Sequence, residues 1–258
     1  MMRIAPRLMI GLLAAAVTAA TAAPADAAPP VRNVVLVHGA FADGSGWNAV
    51  AQILERDGYN VTIVQQPETS LEDDVAATNR VLDMQDGPTV LVGHSYGGVI
   101  VTEAGNNAHV SALVYVAAFQ PDTGESLASL GASMPPASTA VTPTADGFLF
   151  IAAPAFRADF AADLAAGVAD RMSRSQVPLS VRAATAKVAT PAWKRKPSYA
   201  VIATQDRSLN PELQRKMYKR SGTIATEIAA SHAVYISQPA AVAAVVEKAA
   251  TRVEWRRE

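Results

Sequence analysis

A serine in a glycine-rich turn is the clearest candidate for chemistry in this sequence. Gly93-His94-Ser95-Tyr96-Gly97 fits the pattern Gly-x-Ser-x-Gly. An apolar run at 90–92 precedes it, and a stretch typical of a helix follows it. Glycines on either side of the serine permit a sharp, strained turn between strand and helix, because larger side chains there would collide with neighbouring backbone. Ser95 is therefore the predicted nucleophile.

A serine hydroxyl needs a general base, and the chain has four histidines. His232 follows the last predicted strand, at the sheet edge where parallel α/β folds keep their sites, and it is the predicted base. We expect His38, which ends the first predicted strand, to shape the following loop. His94 is interpreted as a packing residue beside the nucleophile, and His109 as a surface residue.

The base in turn needs a carboxylate to orient it. Asp206 directly follows a strand predicted at 199–204, so it should lie at the same sheet edge as Ser95 and His232. A plainer alternative is that Asp206 only forms the turn before a helix near residue 211. Glu227, on the last predicted strand, is the reserve candidate for the acid.

Two backbone N–H groups are needed to stabilise an oxyanion. The N–H of Tyr96, next to the nucleophile, is one candidate. The second should come from the loop after the first strand, at Ala40 or Phe41, since Gly39 permits a close approach there.

An alternation of strands and helices positions these residues. Strands are predicted at 34–37, 59–64, 89–92, 112–117, 199–204 and 223–228. Helices are predicted at 47–57, 71–82, from 97 onward, at 211–219 and at 240–252. Such alternation predicts an α/β protein with a mostly parallel central sheet flanked by helices.

Residues from about 120 to 196 interrupt this alternation. They hold a Ser/Pro/Thr-rich run at 133–144, Ala-rich helical segments, and four of the six phenylalanines of the chain. We interpret them as a helical cap inserted before the penultimate strand, over a substrate pocket. The plainer alternative is a helical excursion with its own small core. Phe41, Phe148 and Phe150 are the predicted substrate contacts.

The motifs resemble those of a known superfamily. The runs VLVHGAF at 35–41 and GHSYGG at 93–98, with Asp206 and Ser231-His232, resemble the α/β-hydrolases. Within that superfamily they are similar to the plant methylesterases, the hydroxynitrile lyases and their bacterial serine-esterase relatives. The resemblance implies the α/β-hydrolase fold and a Ser95-Asp206-His232 triad, an order of residues typical of these enzymes. It also implies Ala40 and Tyr96 as the oxyanion donors.

The same resemblance favours ester hydrolysis over cyanide release. Lyase members tend to carry a hydroxyl residue where this chain has Gly39, and a lysine where it has Ala233. The expected reaction is cleavage of small to medium carboxylic esters through an acyl-enzyme. Lactone or amide hydrolysis, or carbon–carbon cleavage, on the same triad stays open. A homologue that binds a ligand and is catalytically weak is the other alternative that stays open.

Composition narrows the classes of function. The 258 residues are 50% hydrophobic and 17% charged, with a net charge of −1, which excludes global disorder and argues against a nucleic-acid binder. Zero cysteine excludes disulfides, thiolate–zinc sites, iron–sulfur clusters and a thiol nucleophile. No His-x-x-x-His pair and no complete phosphate-binding loop occur, so neither a metal nor a cofactor is expected. The expected partner is a small-molecule ester, and the sequence gives no sign of the oligomeric state.

The first 27 residues have the layout of a secretory signal peptide. Arg3 and Arg7 precede a thirteen-residue apolar stretch at 8–20, and Ala25-Asp26-Ala27 fits a small-x-small cleavage site. Thirteen residues are too few to span a bilayer, which takes about 20. We therefore expect a signal peptide at 1–27, a single domain at 28–258, and a secreted or periplasmic protein free of the membrane once the peptide is removed. The alternative is an uncleaved N-terminal anchor.

Overall fold

A computed structural model describes Met1 and residues 31–251. The predicted signal peptide, Met1 apart, lies outside the described residues. Among the helices of residues 31–251, none combines the length and the apolar character needed to cross a bilayer.

Strands of the described residues form two sheets. In chain order they are β1 (Asn33–Val37), β2 (Asn60–Val64), β3 (Thr89–His94), β4 (Val110–Val116), β5 (Val141–Pro143), β6 (Phe148–Ile151), β7 (Leu179–Ser180), β8 (Ser198–Ala203) and β9 (Ile224–Ile228). The larger sheet has six strands in the order β2-β1-β3-β4-β8-β9, and all its pairings are parallel. All six strands of this sheet were predicted from the sequence, and the predicted fold class is confirmed.

Helices cover both faces of the larger sheet. They are α1 (Asn48–Arg56), α2 (Leu71–Leu82), α3 (Gly97–Ala104), α4 (Leu127–Ser133), α5 (Ala153–Phe160), α6 (Ala166–Arg174), α7 (Val181–Thr185), α8 (Pro211–Ser221), α9 (Val234–Ser237) and α10 (Pro239–Thr251). The predicted bounds of α2 match, because Ser70 caps it by accepting a hydrogen bond from the Asp73 N–H at 3.0 Å. Short 3₁₀ turns lie at Gly44–Trp47 and Ala192–Lys194.

The strands divide the core between their two faces. Val34 and Leu36 of β1 pack into a cluster with α1 and α10, whereas Val35 and Val37 pack into a cluster with α2, α3 and α8. This division follows from the alternation of side chains along a strand. All residues of β1, β3 and β4 are buried, as expected of central parallel strands covered on both faces. The sheet therefore forms a rigid base for the loops at its carboxyl edge.

The insert between β4 and β8 lies where it was predicted, and it is only partly helical. Besides α4–α7 it contains the antiparallel sheet β5-β6-β7, which the sequence analysis did not predict. These strands are two to four residues long, too short to show a periodicity of their own. Side chains of Ile151, Phe156 and Phe160 form a small core that also includes Ala42 and Ala233, which lie outside the insert.

Candidate active site

Ser95 lies at the turn between β3 and α3. Its φ angle is +52°, in the left-handed region that residues other than glycine rarely adopt. A Cβ atom at position 97 would lie 2.6 Å from the carbonyl oxygen of His38, and one at position 93 would lie 2.5 Å from the carbonyl oxygen of Gly97. The flanking glycines are therefore what allows the turn to close on itself.

The structure brings the three predicted triad residues into one hydrogen-bonded chain. Ser95 Oγ lies 2.8 Å from His232 Nε2, and His232 Nδ1 lies 2.7 Å from Asp206 Oδ2. All three residues are buried. They come from the carboxyl ends of β3, β8 and β9, the edge at which parallel sheets assemble their sites.

Further hydrogen bonds hold the Asp206 carboxylate in place. Oδ1 accepts from the backbone N–H groups of Ser208 and Leu209, both at 2.8 Å. Oδ2 accepts from Gln214 Nε2 at 3.0 Å besides His232. An acceptor-only carboxylate facing Nδ1 places the imidazole proton there, so Nε2 is left to accept from Ser95.

Gln214 was not identified from the sequence. It is buried in α8 beside Leu213, Met217 and Tyr218. A polar residue within such an apolar stripe was the available signal. Glu227, the reserve acid, does not reach the triad: it lies on the edge strand β9 and binds Arg215 at 2.7 and 2.8 Å. Asp206 is therefore the carboxylate of this site.

Of the two alternatives for the second oxyanion donor, the geometry favours Ala40. The Phe41 N–H donates to the carbonyl oxygen of Val177 at 3.0 Å, and Phe41 itself has a φ of +66°. Within residues 31–251, the N–H groups of Ala40 and Tyr96 donate to no protein acceptor. A Cβ atom at position 39 would lie 2.6 Å from Ser95 Cβ, so this loop approaches the nucleophile as closely as glycine permits.

His94 does more than fill space. Its ring lies 4.3 Å from that of Tyr235 and 4.7 Å from that of His232, centroid to centroid, in agreement with a packing role. In addition, Nε2 donates to the backbone carbonyl oxygen of His232 at 3.0 Å. Burial lowers the pKa of His94 well below its ordinary value, so the ring is neutral and holds the loop of the predicted base.

His38 contacts the oxyanion loop, as expected. Its Nδ1 lies 3.1 Å from the carbonyl oxygen of Gly39 and 3.4 Å from Glu68 Oε1, and its own carbonyl oxygen accepts from Gln66 at 2.8 Å. Burial lowers the pKa of His38 and raises that of Glu68 well above its ordinary value. Burial therefore disfavours the charged form of both side chains where they meet. The fourth histidine, His109, is partly exposed.

A buried acid, Asp74, lies behind Tyr96 and was not predicted from the sequence. Tyr96 Oη donates to Asp74 Oδ2 at 2.6 Å, and Asp74 Oδ1 accepts from the Glu68 N–H at 2.7 Å. Burial raises the pKa of Asp74 to about 6. Asp74 stands in the acidic first turn of α2, beside Glu72 and Asp73. Its spacing from Leu71 and Thr78, which places it on the buried face, was the signal.

The three predicted substrate contacts are placed differently from one another. Phe41 is half-buried and packs against the core cluster on the α2–α3 side of the sheet. On β6, Leu149 packs against that same cluster and Ile151 is buried in the core of the insert. Phe148 and Phe150 are half-buried and alternate with them, so they lie on the opposite face of the strand. Their contact with substrate stays a prediction.

Fold and site together are those of an α/β hydrolase. Residues 34–245 match the model of the Alpha/beta hydrolase family, and the chain belongs to this family.

One relative with a named activity is an esterase. A carbendazim hydrolyzing esterase of Nocardioides sp. (strain SG-4G) is 33% identical over 121 residues, which are 40% of this chain and 49% of that protein. That match thus spans about half the length of the relative.

Solved structures resemble the whole domain. A pyrethroid hydrolase from Sphingobium faniae JZ-2 has a TM-score of 0.74 at 22% identity, over 87% of this chain and 100% of its own. A methylesterase from Arabidopsis has a TM-score of 0.70 at 19% identity, over 85% and 98%. At these identities the likeness concerns the fold, and it places plant methylesterases and bacterial hydrolases among the structural neighbours, in agreement with the resemblance of the motifs.

Proposed function

We propose that the protein is an exported serine hydrolase that cleaves small to medium carboxylic esters. The observation that carries this proposal is the unbroken hydrogen-bonded chain from Asp206 through His232 to Ser95. A nucleophile held in a strained turn, with two free backbone N–H groups beside it, suits acyl transfer. The similarity to the carbendazim hydrolyzing esterase supports an ester as the substrate.

The geometry supports a two-step reaction. His232 Nε2 accepts the Ser95 proton as Oγ attacks the ester carbonyl carbon, and the Ala40 and Tyr96 N–H groups donate to the oxyanion. The intermediate expels the alcohol, which leaves with the proton from His232. Water then attacks the acyl-enzyme while His232 accepts its proton, and the acid departs as that proton returns to Ser95 Oγ. Asp206 holds the imidazole orientation throughout and stabilises its charged form.

The residue after the base supports hydrolysis rather than cyanide release. Ala233 is buried, and its N–H donates to the Phe160 carbonyl oxygen at 3.0 Å. A methyl group at this position gives a departing cyanide no cationic partner.

Export rests on the predicted signal peptide at 1–27. We propose that the mature chain begins after Ala27 and acts in the periplasm or outside the cell. Mass determination of the N-terminus of the protein recovered from the culture medium or periplasm tests this. Recovery of the uncut chain in the membrane fraction would support the anchor instead.

The decisive experiment compares the wild type with Ser95→Ala on p-nitrophenyl esters, lactones and amides of graded acyl length. We expect ester turnover in the wild type and a loss of at least ~10⁴-fold in kcat for the variant, since removing the nucleophile disables the whole triad. A fluorophosphonate probe should label the wild type and Ser173→Ala, a serine on α6 away from the site, but not Ser95→Ala.

Other outcomes assign the alternatives. Labelling with turnover of lactones or amides alone would replace the ester assignment. An unlabelled wild type without turnover would point to a ligand-binding homologue, and turnover retained in Ser95→Ala would overturn the nucleophile.

A further inference from the structure

One short segment of the insert contacts the loops of both triad partners. It runs from the end of α5 into the following turn and contains Asp159, Phe160 and Asp163. Backbone bonds from the Thr204 and Gln205 N–H groups to the carbonyl oxygens of Ile228 and Ala230 join these loops just before Asp206 and Ser231. Beyond these bonds, contacts from the insert add to those that His94 and Gln214 make with the two loops.

The contacts to the acid loop involve Asp159. Ser208 Oγ donates to the Asp159 carbonyl oxygen at 2.8 Å, and Arg207 Nε lies 3.1 Å from Asp159 Oδ1. Asp159 is itself tied to the start of the insert, because Ser138 Oγ donates to its Oδ2 at 2.8 Å. Since Arg207 is half exposed, its ion pair adds little stability, and the loop is held mainly through hydrogen bonds.

The contacts to the base loop are denser and centre on Asp163. The Ser231 N–H and Ser237 Oγ donate to Oδ2 at 3.0 and 2.7 Å, and Ser231 Oγ donates to Oδ1 at 2.5 Å. Serines 231 and 237 stand on either side of His232, so one carboxylate ties both ends of the segment that carries the base. The Phe160 ring meets the His232 ring edge to face, at 4.8 Å between centroids.

The charge state of Asp163 agrees with this arrangement. Partial burial by itself would raise its pKa, but the hydrogen bonds from Ser231 and Ser237 outweigh that effect and hold the pKa below its ordinary value. Asp163 is therefore an ionised acceptor, and bonds to charged acceptors are stronger than neutral ones.

We propose that Asp163 is a positioning residue for His232, so that the insert holds the base in line with Ser95 as well as covering the site. This inference rests on the proposed function, because it assumes that Ser95 and His232 react. A displacement of about 1 Å at a catalytic group can cost ~10²-fold in rate. Releasing one carboxylate should then slow the chemical step without altering substrate binding.

The test compares Asp163→Ala with Asp170→Ala, which removes an exposed carboxylate from α6 of the same insert. We expect kcat on a p-nitrophenyl ester to fall about 10- to 100-fold in Asp163→Ala, with KM within about 2-fold of the wild type. Asp170→Ala should match the wild type. In a double-mutant cycle, Ser231→Ala should cost less in the Asp163→Ala background than in the wild type, since both act through the same bonds.

Fluorophosphonate labelling separates positioning from unfolding. A variant that merely folds poorly shows a smaller labelling amplitude with an unchanged rate constant, whereas a displaced base lowers the rate constant per folded molecule. Asp163→Asn, which keeps the size of the side chain but loses an acceptor, is the second variant if Asp163→Ala does not fold, and it should also label more slowly.

Two results overturn the inference, and they differ. If the wild type turns over ester and Asp163→Ala labels and turns over at the same rate, Asp163 has no positioning role. If the wild type itself neither turns over ester nor labels, the proposed function fails and this inference fails with it.

Discussion

Asp206 holds its place in the site through both carboxylate oxygens. Two backbone N–H groups at 2.8 Å fix Oδ1, so Oδ2 has a single direction in which to face His232. This explains how one hydrogen bond can define the imidazole tautomer. It also makes the consequence of replacing the carboxylate predictable.

In Asp206→Asn the amide oxygen should stay with the two backbone donors and place Nδ2 opposite His232. A donor at that point favours the imidazole with its proton on Nε2, which cannot accept the Ser95 proton. We expect kcat to fall by about 10⁴-fold, as the same change does in a Ser-His-Asp protease, with little change in KM. Steady-state ester kinetics measure this.

The matched control is Glu227→Gln, which removes the reserve carboxylate on β9. Because Glu227 binds Arg215 at the surface, its loss should leave kcat unchanged. A loss in Glu227→Gln comparable to that in Asp206→Asn would contradict the assignment of the acid.

The triad residues could be predicted because each follows a strand of the same sheet edge. The residues that support the triad through contacts between distant segments could not be predicted in the same way. Asp163 and Ser231 are 68 positions apart, and Asp74 and Tyr96 are 22 apart. The spacing of Asp74 from Leu71 and Thr78 indicates the buried face of α2, but it does not identify Tyr96 as the partner. Nothing in the local pattern around Asp163 distinguishes it from an ordinary surface acid.

At the scale of elements, the passage from β3 through the turn into α3 is closely packed against neighbouring backbone. The turn packs against the end of β1, since a Cβ atom at position 97 would lie 2.6 Å from the carbonyl oxygen of His38 and 2.8 Å from that of Val37. Backbone cannot move aside as a flexible side chain can. The two elements can therefore approach only where one of them lacks a Cβ atom.

Two glycine substitutions test this reading. Gly97→Ala places a methyl group 2.6 Å from backbone and should destabilise the protein by about 1–3 kcal/mol, the usual cost of overpacking. Gly131→Ala, in α4, meets nothing within 4 Å and should stabilise it by about 0.5–1 kcal/mol through the helix preference of alanine. Thermal unfolding should show opposite shifts of Tm, and equal shifts would contradict the packing argument.

Elements of the larger sheet were predictable for a physical reason. Strands β1, β3 and β4 are buried on both faces. Each of them therefore appears in the sequence as a largely continuous run of apolar residues. In the insert, β5 and β6 are joined through Gly147, with a φ of +86°, and pair over three positions only. Tertiary contacts rather than local pattern decide such short strands.

At the scale of the whole molecule, titratable groups lie deep beneath the oxyanion loop. Glu68 and Asp74 are fully buried, Glu68 next to His38 and Asp74 next to Tyr96. Glu68 also connects the insert, because its carbonyl oxygen accepts from the Ser180 N–H at 3.0 Å. The global stability of the fold should therefore respond to the protonation of this buried group of side chains.

The pH dependence of stability should separate Asp74 from the other buried groups. Its pKa rises from 3.8 to about 6 on folding, so the folded state holds a proton that the unfolded state has lost. Its contribution to the free energy of unfolding is present below about pH 4 and declines by about 3 kcal/mol as pH rises through 6. Glu68, whose pKa burial also raises, acts in the same direction, whereas His38 and His94, whose pKa values burial lowers, act in the opposite direction. The total curve alone therefore does not isolate Asp74.

The substitution Asp74→Asn removes the titration of Asp74 and can keep the local contacts. An asparagine oxygen can still accept from the Glu68 N–H while its amide donates to Tyr96 Oη. Urea unfolding of the wild type and the variant from pH 4 to 7 gives two curves. We expect the wild-type value minus the variant value to fall by about 3 kcal/mol across this range. Asp73→Asn, next to it on the exposed side of α2, should show no such fall, since hydrogen bonds from Ser70 and Thr69 lower the pKa of Asp73. Parallel curves for the wild type and Asp74→Asn would mean that Asp74 is ionised in the folded protein throughout, stabilised by its hydrogen bonds against the cost of burial.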